Sequence, residues 1–393
     1  GGFATRFLEC ANTGKMEEAM GQRNCPVCES GHSDFIKRIT MKAPGNYRLP
    51  ETYDVASCKL CGMVYADTNA SMEDYDWYYS HCNFYGDDSK YDNAGRYGMV
   101  EGLLGQFCKK DSVMLNIGAG NGRFEADLKE NGYQDVMGID PSAESVRKLK
   151  EAGLKSRVGN IYSAVPEEEK HKYDCVFLFE VAEHLLEPGK GIGNVKEFLK
   201  EDGVFMVSVP DYSCIKQSSN IAIPNYFNLE HINYFSETSL DNLMGRYGMC
   251  KVCQKGEDLI HCYKNTDAPG ELQKDYKTKE AVCGYFDARQ GHAGRAAQII
   301  EGLKRSQKEV VIWGTGSYMM ALAASTSLMD CQIVGFIDNN KIKQGREIYG
   351  IPVYAPEFLA GSDAVALICS MLNSEDIKRQ IEGMHIGNDF IIL

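Results

Sequence analysis

A chain of 393 residues exceeds what one hydrophobic core usually organises, so two or three domains are expected. The 42 Lys plus Arg against 55 Asp plus Glu leave a formal charge of −13, which disfavours a nucleic-acid backbone as partner, and no apolar run approaches the roughly 20 residues that span a bilayer. Fifteen cysteines without a secretory signal point to a reducing cytoplasm, where thiols stay free or bind metal.

Residues 1–21 show no basic stretch followed by an apolar core and read as a leader or an expression remnant. Residues 22–90 read as a small zinc-binding module. Cys25-Pro-Val-Cys28 and Cys58-Lys-Leu-Cys61 are paired knuckles, each able to offer two thiolates to one tetrahedral Zn2+ at about 2.3 Å. A site closed by four thiolates leaves no position for water or substrate, so its role is structural. His32, His81 and Cys82 lie near enough in sequence to be alternative ligands. The same module holds a tyrosine-rich stretch, Tyr75, Tyr78, Tyr79 and Tyr85, read chiefly as packing.

Between 91 and 265, short apolar runs alternate with helical patterns. Val113–Ile117, Val136–Ile139, Cys175–Phe179 and Val204–Val209 are expected to be buried parallel strands of a doubly wound α/β sheet. After the first strand comes Gly118-Ala-Gly120-Asn-Gly122 and then a helix, a turn that lets backbone approach a ligand near a helix N-terminus. The second strand ends in Asp140, placed to accept from a ribose diol. Asn160 and Ile161 follow the next strand end, where the former could read an adenine amino group and the latter pack on the ring. Glu180 closes the strand that leads into Glu183-His184. The segment Asn228-Leu-Glu230-His231 lies beyond the last strand, at the edge where ligands bind in such sheets, and a histidine beside a carboxylate there is a candidate general base.

Residues 266–307 read as a helical linker, with Ala296, Ile299, Ile300 and Leu303 at helical spacing. Residues 308–393 repeat the strand-and-turn theme in Glu309–Trp313, Gln332–Ile337 and Asp363–Ile368, with Gly314-Thr-Gly316 after the first and Asp338 after the second. They are expected to form a smaller Rossmann-like domain able to bind a nucleotide.

The glycine loop, the acid at Asp140 and the Glu183-His184 tail resemble, in order and spacing, the class I methyltransferase family. The resemblance implies S-adenosyl-methionine as cofactor, held by Asn116, Gly118, Gly120, Gly122, Asp140, Asn160, Ile161 and Glu180. Asn116 departs from the pattern, since the family usually carries an acidic residue there, near the methionine amino group. Glu183 and His184 read more readily as polarity shaping the cofactor pocket than as direct chemistry. A hydride-transfer enzyme holding NAD is the rival reading of the loop.

Taken with the four cysteines and the final domain, Asn228-Leu-Glu230-His231-Ile-Asn-Tyr-Phe235-Ser236 resembles the sugar C-methyltransferase family, which acts on nucleotide-linked 4-keto-deoxysugars. The stretch from Asp338 to Arg346 and Gly350-Ile-Pro352-Val353 add to the likeness. It implies that His231 removes a proton beside a ketone, that Glu230 orients or polarises, and that the enolate takes the methyl group. Tyr79, Tyr226 and Asn228 would then face the substrate, and Lys341, Lys343 and Arg346 would be available to its pyrophosphate. Relatives tend to carry a tyrosine at the position of Asn228, so Tyr226 or the tyrosine-rich stretch would supply a phenol instead. An O- or N-methyltransferase of another small metabolite, and a zinc-containing methyltransferase-like regulatory or binding protein, are the alternatives. The oligomeric state is left open.

Overall fold

Three sheets organise the described residues of the computed structural model, which are 21, 23–45, 47–82, 94–215, 226–255, 259–268, 270–371 and 373–393. The first is antiparallel. It joins β1 (Ser33–Thr40), β2 (Thr52–Cys58) and β3 (Val64–Asp67) and is followed by helix α1 (Met72–His81). Ser71 starts α1 through a reciprocal cap with Asp74, which fixes where the helix begins and therefore where its tyrosines point.

Helix α2 (Ala94–Phe107) leads into the middle sheet. Its first half alternates β4 (Val113–Ile117), α3 (Arg123–Glu130), β5 (Asp135–Asp140), α4 (Ala143–Glu151) and β6 (Lys155–Val158). Its second half holds β7 (Tyr173–Phe179), α5 (Pro188–Phe198) and β8 (Leu199–Val209). Then come β9 (Asn233–Tyr234), α6 (Glu237–Arg246), β10 (Met249–Lys255) and β11 (Leu259–Asn265). The strand order is β10-β11-β8-β7-β4-β5-β6, with β11 antiparallel to its neighbours. Strands β4 and β7 are buried along nearly their whole length, because helices cover both faces of the sheet. The parallel strands β4, β5, β7 and β8 all end at one edge, and β4 lies between β5 and β7, where the order reverses.

Strand β9 belongs to the first sheet, pairing with β3 through Val64–Tyr234 and Tyr65–Asn233. The N-terminal module is therefore completed by the segment just after His231. Helix α7 (Lys277–Ser306) buries Val282, Tyr285, Phe286, Ala296, Ile300 and Leu303 in an apolar cluster that also holds Tyr53, Val55 and Tyr212, so this stretch is part of the packed body.

The third sheet contains β12 (Glu309–Trp313), α8 (Ser317–Ser325) and β13 (Gln332–Ile337). It continues through β14 (Glu347–Ile348), β15 (Ile351–Tyr354), β16 (Val365–Ile368), α9 (Ser374–Gly383) and β17 (Phe390–Ile392). Its order is β14-β15-β13-β12-β16-β17. The Lys42 amide donates to the Met320 carbonyl and the Tyr349 hydroxyl to the Lys42 carbonyl, so this domain docks on the N-terminal module. No helix among the described residues is long and apolar enough to cross a membrane.

Candidate active site

The turn after β4 is held by its neighbour strand. Gly118 and Ala119 donate their amides to the Ile139 carbonyl at 2.8 and 3.0 Å. Gly118 has φ of 88°, and a side chain there would put Cβ 2.5 Å from Cγ2 of Val181, so only glycine fits between the loop and the segment after β7. Asp140, buried at the end of β5, accepts from the Gly120 amide at 2.8 Å and from the Ser142 amide at 2.9 Å. Burial raises its pKa. Helix α3 begins at Gly122, and its first amide, that of Arg123, donates to Oδ1 of Asn121 in the loop at 3.2 Å.

Asn116 lies beneath this loop. Its Nδ2 donates to Oε1 of Glu125 at 2.7 Å, while its Oδ1 is buried without a hydrogen-bond partner among the described residues. Glu125, from the first turn of α3, was not singled out by sequence. It is 1% exposed, and burial pushes its pKa up to about 7.

Asn160 uses its carbonyl within its own turn, accepting from the Tyr162 amide at 3.0 Å, and its Nδ2 donates to Asp76 on α1 at 3.1 Å. The free acceptor at this point is thus the Asp76 carboxylate, a second residue the sequence reading missed. Ile161 is buried beside the turn. Glu180 has a left-handed backbone, φ 55°, and its Oε1 accepts from the Ser208 hydroxyl at 2.8 Å, which ties the end of β7 to that of β8.

The second half of the site is made by two loops sewn together. The Ile232 amide donates to the Glu183 carbonyl at 2.9 Å, and Nδ2 of Asn233 donates to the carbonyls of Ala182 and Leu185. The Arg23 guanidinium donates to the carbonyls of Leu185, Leu186 and Ile232, so a residue of the N-terminal module clamps both loops. The rings of His184 and His231 consequently meet edge to face with centroids 4.7 Å apart.

Helix α1 covers this pair. Tyr75, Tyr78 and Tyr79 share one helical face. Tyr75 donates to the Leu229 carbonyl at 3.3 Å and Tyr78 to Oε1 of Glu230 at 2.5 Å, while the Tyr79 hydroxyl meets Nδ1 of His184 at 3.0 Å. Tyr85 lies outside the described residues.

Hydrogen-bond accounting fixes both imidazoles. Tyr212 donates its one hydroxyl proton to the Tyr226 carbonyl at 2.7 Å, so its contact with Nδ1 of His231 at 3.1 Å has the ring as donor. The proton of His231 is therefore on Nδ1, and Nε2 carries a lone pair. By the same logic His184 donates from Nδ1 to the Glu230 carbonyl at 3.1 Å, leaving Nε2 facing Glu183 at 3.7 Å. Burial lowers the pKa of both rings, that of His231 well below its ordinary value with His184 adding to the effect.

Asn228 has a backbone task. Its Oδ1 accepts from the amides of Glu230 and His231 at 2.8 and 2.6 Å and shapes the turn that presents them. The Tyr226 ring packs on Tyr212 and Tyr285. Lys343 and Arg346 do not converge on one point. Lys343 donates to Thr315 Oγ1 at 3.2 Å and Asp338 Oδ2 at 3.3 Å, inside the C-terminal domain. Arg346 is exposed and acts instead on Tyr47, where burial and Glu230 raise the phenol and Arg346 opposes them, and on Cys82.

Cys25, Cys28, Cys58 and Cys61 lie with their sulfurs within 4.8 Å of one another. Cys25 is 3.6 Å from Cys61 and Cys28 is 3.4 Å from Cys58, close to the edge of about 3.8 Å for a tetrahedron with metal–sulfur bonds of about 2.3 Å. The cluster shares an apolar core with Leu243 and Met244 of α6, and Arg246 donates to the Val27 carbonyl at 2.6 Å.

Residues 96–254 match a family model described as "Methyltransferase domain", and residues 306–392 match one described as "C2185-like, N-terminal". A ubiquinone biosynthesis O-methyltransferase of Rhodopseudomonas palustris is 32% identical over 104 residues, which is 26% of this chain and 41% of that protein. The chain thus covers less than half the length of that relative. The Glaesserella parasuis protein of the same name is 24% identical over 197 residues, 47% of this chain and 71% of its own. Among solved structures, a Pyrococcus horikoshii protein aligns with TM-score 0.39 and 21% identity over 46% of this chain and 95% of its own. The Burkholderia thailandensis 1,6-didemethyltoxoflavin-N1-methyltransferase aligns with TM-score 0.38 and 18% identity over 52% and 96%. Residues 96–254 thus match a methyltransferase domain.

Proposed function

We propose that the protein is an S-adenosyl-methionine-dependent C-methyltransferase acting on a nucleotide-linked keto-deoxysugar or a related small metabolite. The observation that carries this reading is the state of His231: neutral through burial, with Nδ1–H spent on Tyr212 and a lone pair left on Nε2 at the edge where the parallel strands end.

The cofactor pocket fits its expected occupant on two observations. The Gly118 turn has no room for a Cβ, and the buried Asn116 carbonyl lacks a donor that the amino group of the methionine end would supply. Asp140 would receive the ribose diol, Asp76 with Asn160 and Ile161 would border the adenine, and Glu180 would hold the end of β7 in place. Bound there, the cofactor supplies an electrophilic methyl group.

On the protein side, Nε2 of His231 accepts the proton alpha to the carbonyl, and the C–H electron pair becomes the enolate that takes the methyl. Low basicity is the counterpart of the neutrality of His231, so the ketone has to be held by donors that stabilise its developing negative charge. Tyr79, which meets Nδ1 of His184, and Tyr226, which packs on the Tyr212 that contacts His231, would supply such phenols. Glu230, held by Tyr78 and by the Asn228 turn, orients the segment that carries the base. The C-terminal domain would receive the nucleotide end, with Lys343 and Arg346 contacting it separately. Zn2+ held by the four cysteines would brace the N-terminal module against α6.

The name of the curated relatives favours a second reading, in which the same nitrogen takes a hydroxyl proton. Deuterium separates the two. In heavy water with a nucleotide-linked 4-keto-deoxysugar and no methyl donor, the wild type should exchange the alpha proton, and His231→Ala should slow this about a hundred- to ten-thousandfold with cofactor affinity unchanged. Methylated product formed without exchange overturns the carbon reading in favour of oxygen or nitrogen.

A further inference from the structure

Glu125 is a carboxylate where the chain shows no structural need for one. It lies under the glycine turn, packed beside Gly138, where an added Cβ would come within 3.2 Å of its Oε1. One oxygen accepts from Nδ2 of Asn116, and the other, Oε2, has no hydrogen-bond partner among the described residues. The charge acting on it, Asp140 of β5, is of the same sign. The neighbouring acid on its own helix, Asp127, is already paired with Arg123 at 3.0 Å, and α4 offers Leu149 at this point. A buried acid facing another acid, with one oxygen unused, is costly to ionise unless a cation arrives.

Asn116 shows where that cation would sit. An amide that donates from Nδ2 to Glu125 turns its Oδ1 the other way, and this oxygen is the buried acceptor without a donor among the described residues, next to the end of β4. A primary ammonium brought to Oδ1 satisfies it and places a positive charge one amide away from Glu125. The pair Asn116–Glu125 thus divides between two side chains what one acidic side chain at the strand end would do, with the asparagine supplying contact and the glutamate supplying charge.

We propose that Glu125 is a positioning residue that acts through Asn116 to receive the ammonium of the cofactor's amino-acid end. This rests on the methyltransferase reading. It makes cofactor affinity depend on proton release: with Glu125 pushed up to about 7 in the free protein, bound ammonium favours the carboxylate and expels the proton.

The test is calorimetry on the full chain with two probes, S-adenosyl-homocysteine and 5′-methylthioadenosine, which keeps the nucleoside and lacks the amino-acid end. Glu125→Gln preserves the acceptor for Asn116 and removes only the charge. Wild-type affinity for S-adenosyl-homocysteine should rise about tenfold or more between about pH 5.5 and about pH 8.5, while Glu125→Gln stays weak and flat. Methylthioadenosine should bind both proteins alike with little pH dependence. Equal affinity and equal pH profiles for S-adenosyl-homocysteine in both proteins overturn the role of Glu125 and leave the methyltransferase reading intact. A folded wild type that binds neither probe overturns that reading and the inference together. Should the variant not fold, the wild type alone decides: titration at about pH 7 in two buffers of different ionisation enthalpy should show release of about half a proton, and none released overturns the proposal.

Discussion

At the end of β5, Asp140 accepts from the amides of Gly120 and Ser142; at the end of β13, Asp338 accepts from those of Thr315 and Asn340. Each turn also rests on the next strand, Gly118 on Ile139 and Gly314 on Ile337, both at 2.8 Å. The two domains use one device to hold a strand–turn–helix corner, and they diverge in how the acid is neutralised. Asp338 receives the Thr315 hydroxyl at 2.5 Å and the Lys343 ammonium at 3.3 Å, whereas Asp140 is held by two backbone amides. A carboxylate already matched by a lysine has little left for a ribose diol. One held only by amides keeps its charge for a ligand. The corner geometry is thus common to both, and the availability of the acid differs.

The largest effect that would break this comparison is on cofactor affinity. Asp140→Ala should weaken S-adenosyl-homocysteine binding about a hundredfold or more by calorimetry, since it removes the proposed diol acceptor and releases the Gly120 amide. Asp338→Ala should change it by no more than about twofold. Similar losses in both would mean that the two corners do not act separately.

Glu125 sharpens the contrast from the side of stability, because Asp338 of the C-terminal corner is paired with Lys343, whereas Glu125 is a buried acid without a cation among the described residues. Its ordinary pKa of 4.5 rises to about 7 in the folded chain, so the native state holds the proton more tightly than the unfolded one. The sign follows: this contribution is present in full below about pH 4.5 and is lost as pH climbs to about 7, by about 3 kcal/mol at most. Glu125→Gln should remove that loss, leaving the empty protein more stable than the wild type at about pH 8 in denaturant titrations, and the difference should vanish near about pH 4. A variant less stable than the wild type at high pH would show that the ionised carboxylate is already compensated in the empty protein.

The middle-domain turn was legible in sequence for the reason it works. Glycines at fixed spacing after an apolar run, with an acid at the next strand end, leave few other structures, and β4 and β12 begin and end where the apolar runs do because both their faces are buried. Where burial is one-sided the pattern fades. Lys155–Val158 is a polar edge strand, and Met249–Lys255 and Leu259–Asn265 form an edge hairpin with charged and apolar residues mixed. Strand β9 is two residues long and exists through its pairing with β3, which no local pattern announces.

The site divides in the same way. Asp140 could be found from its spacing to the loop, whereas the meeting of His184 with His231 depends on Asn233 and Arg23 stitching two distant loops. Glu125 was invisible because a charged residue in a first helical turn ordinarily faces water and favours the helix dipole. Lys343 and Arg346 looked like one cationic patch in sequence, and the turn through Gly345 sends one to Asp338 and the other toward Tyr47.

The smallest expected effect concerns the glycines themselves. Gly118 has φ of 88° and a Cβ there would meet Val181 at 2.5 Å; Gly316, at the helix start of α8, has φ of −90° and open space around its Cβ position. Gly118→Ala should cost about 1–3 kcal/mol, combining left-handed strain with the push on Val181, while Gly316→Ala should be within about 0.5 kcal/mol of neutral. Thermal unfolding of the two variants measures this directly. The Val181 contact lies between the glycine turn and the segment leading to Glu183 and His184, so the displacement should also reach the imidazole pair and lower methyl transfer. Gly316→Ala has no such route and should leave transfer unchanged. If Gly118→Ala loses stability and keeps full activity, the turn and the histidines are mechanically independent, and the two halves of the site would have to be treated as separate constructions that share one sheet edge.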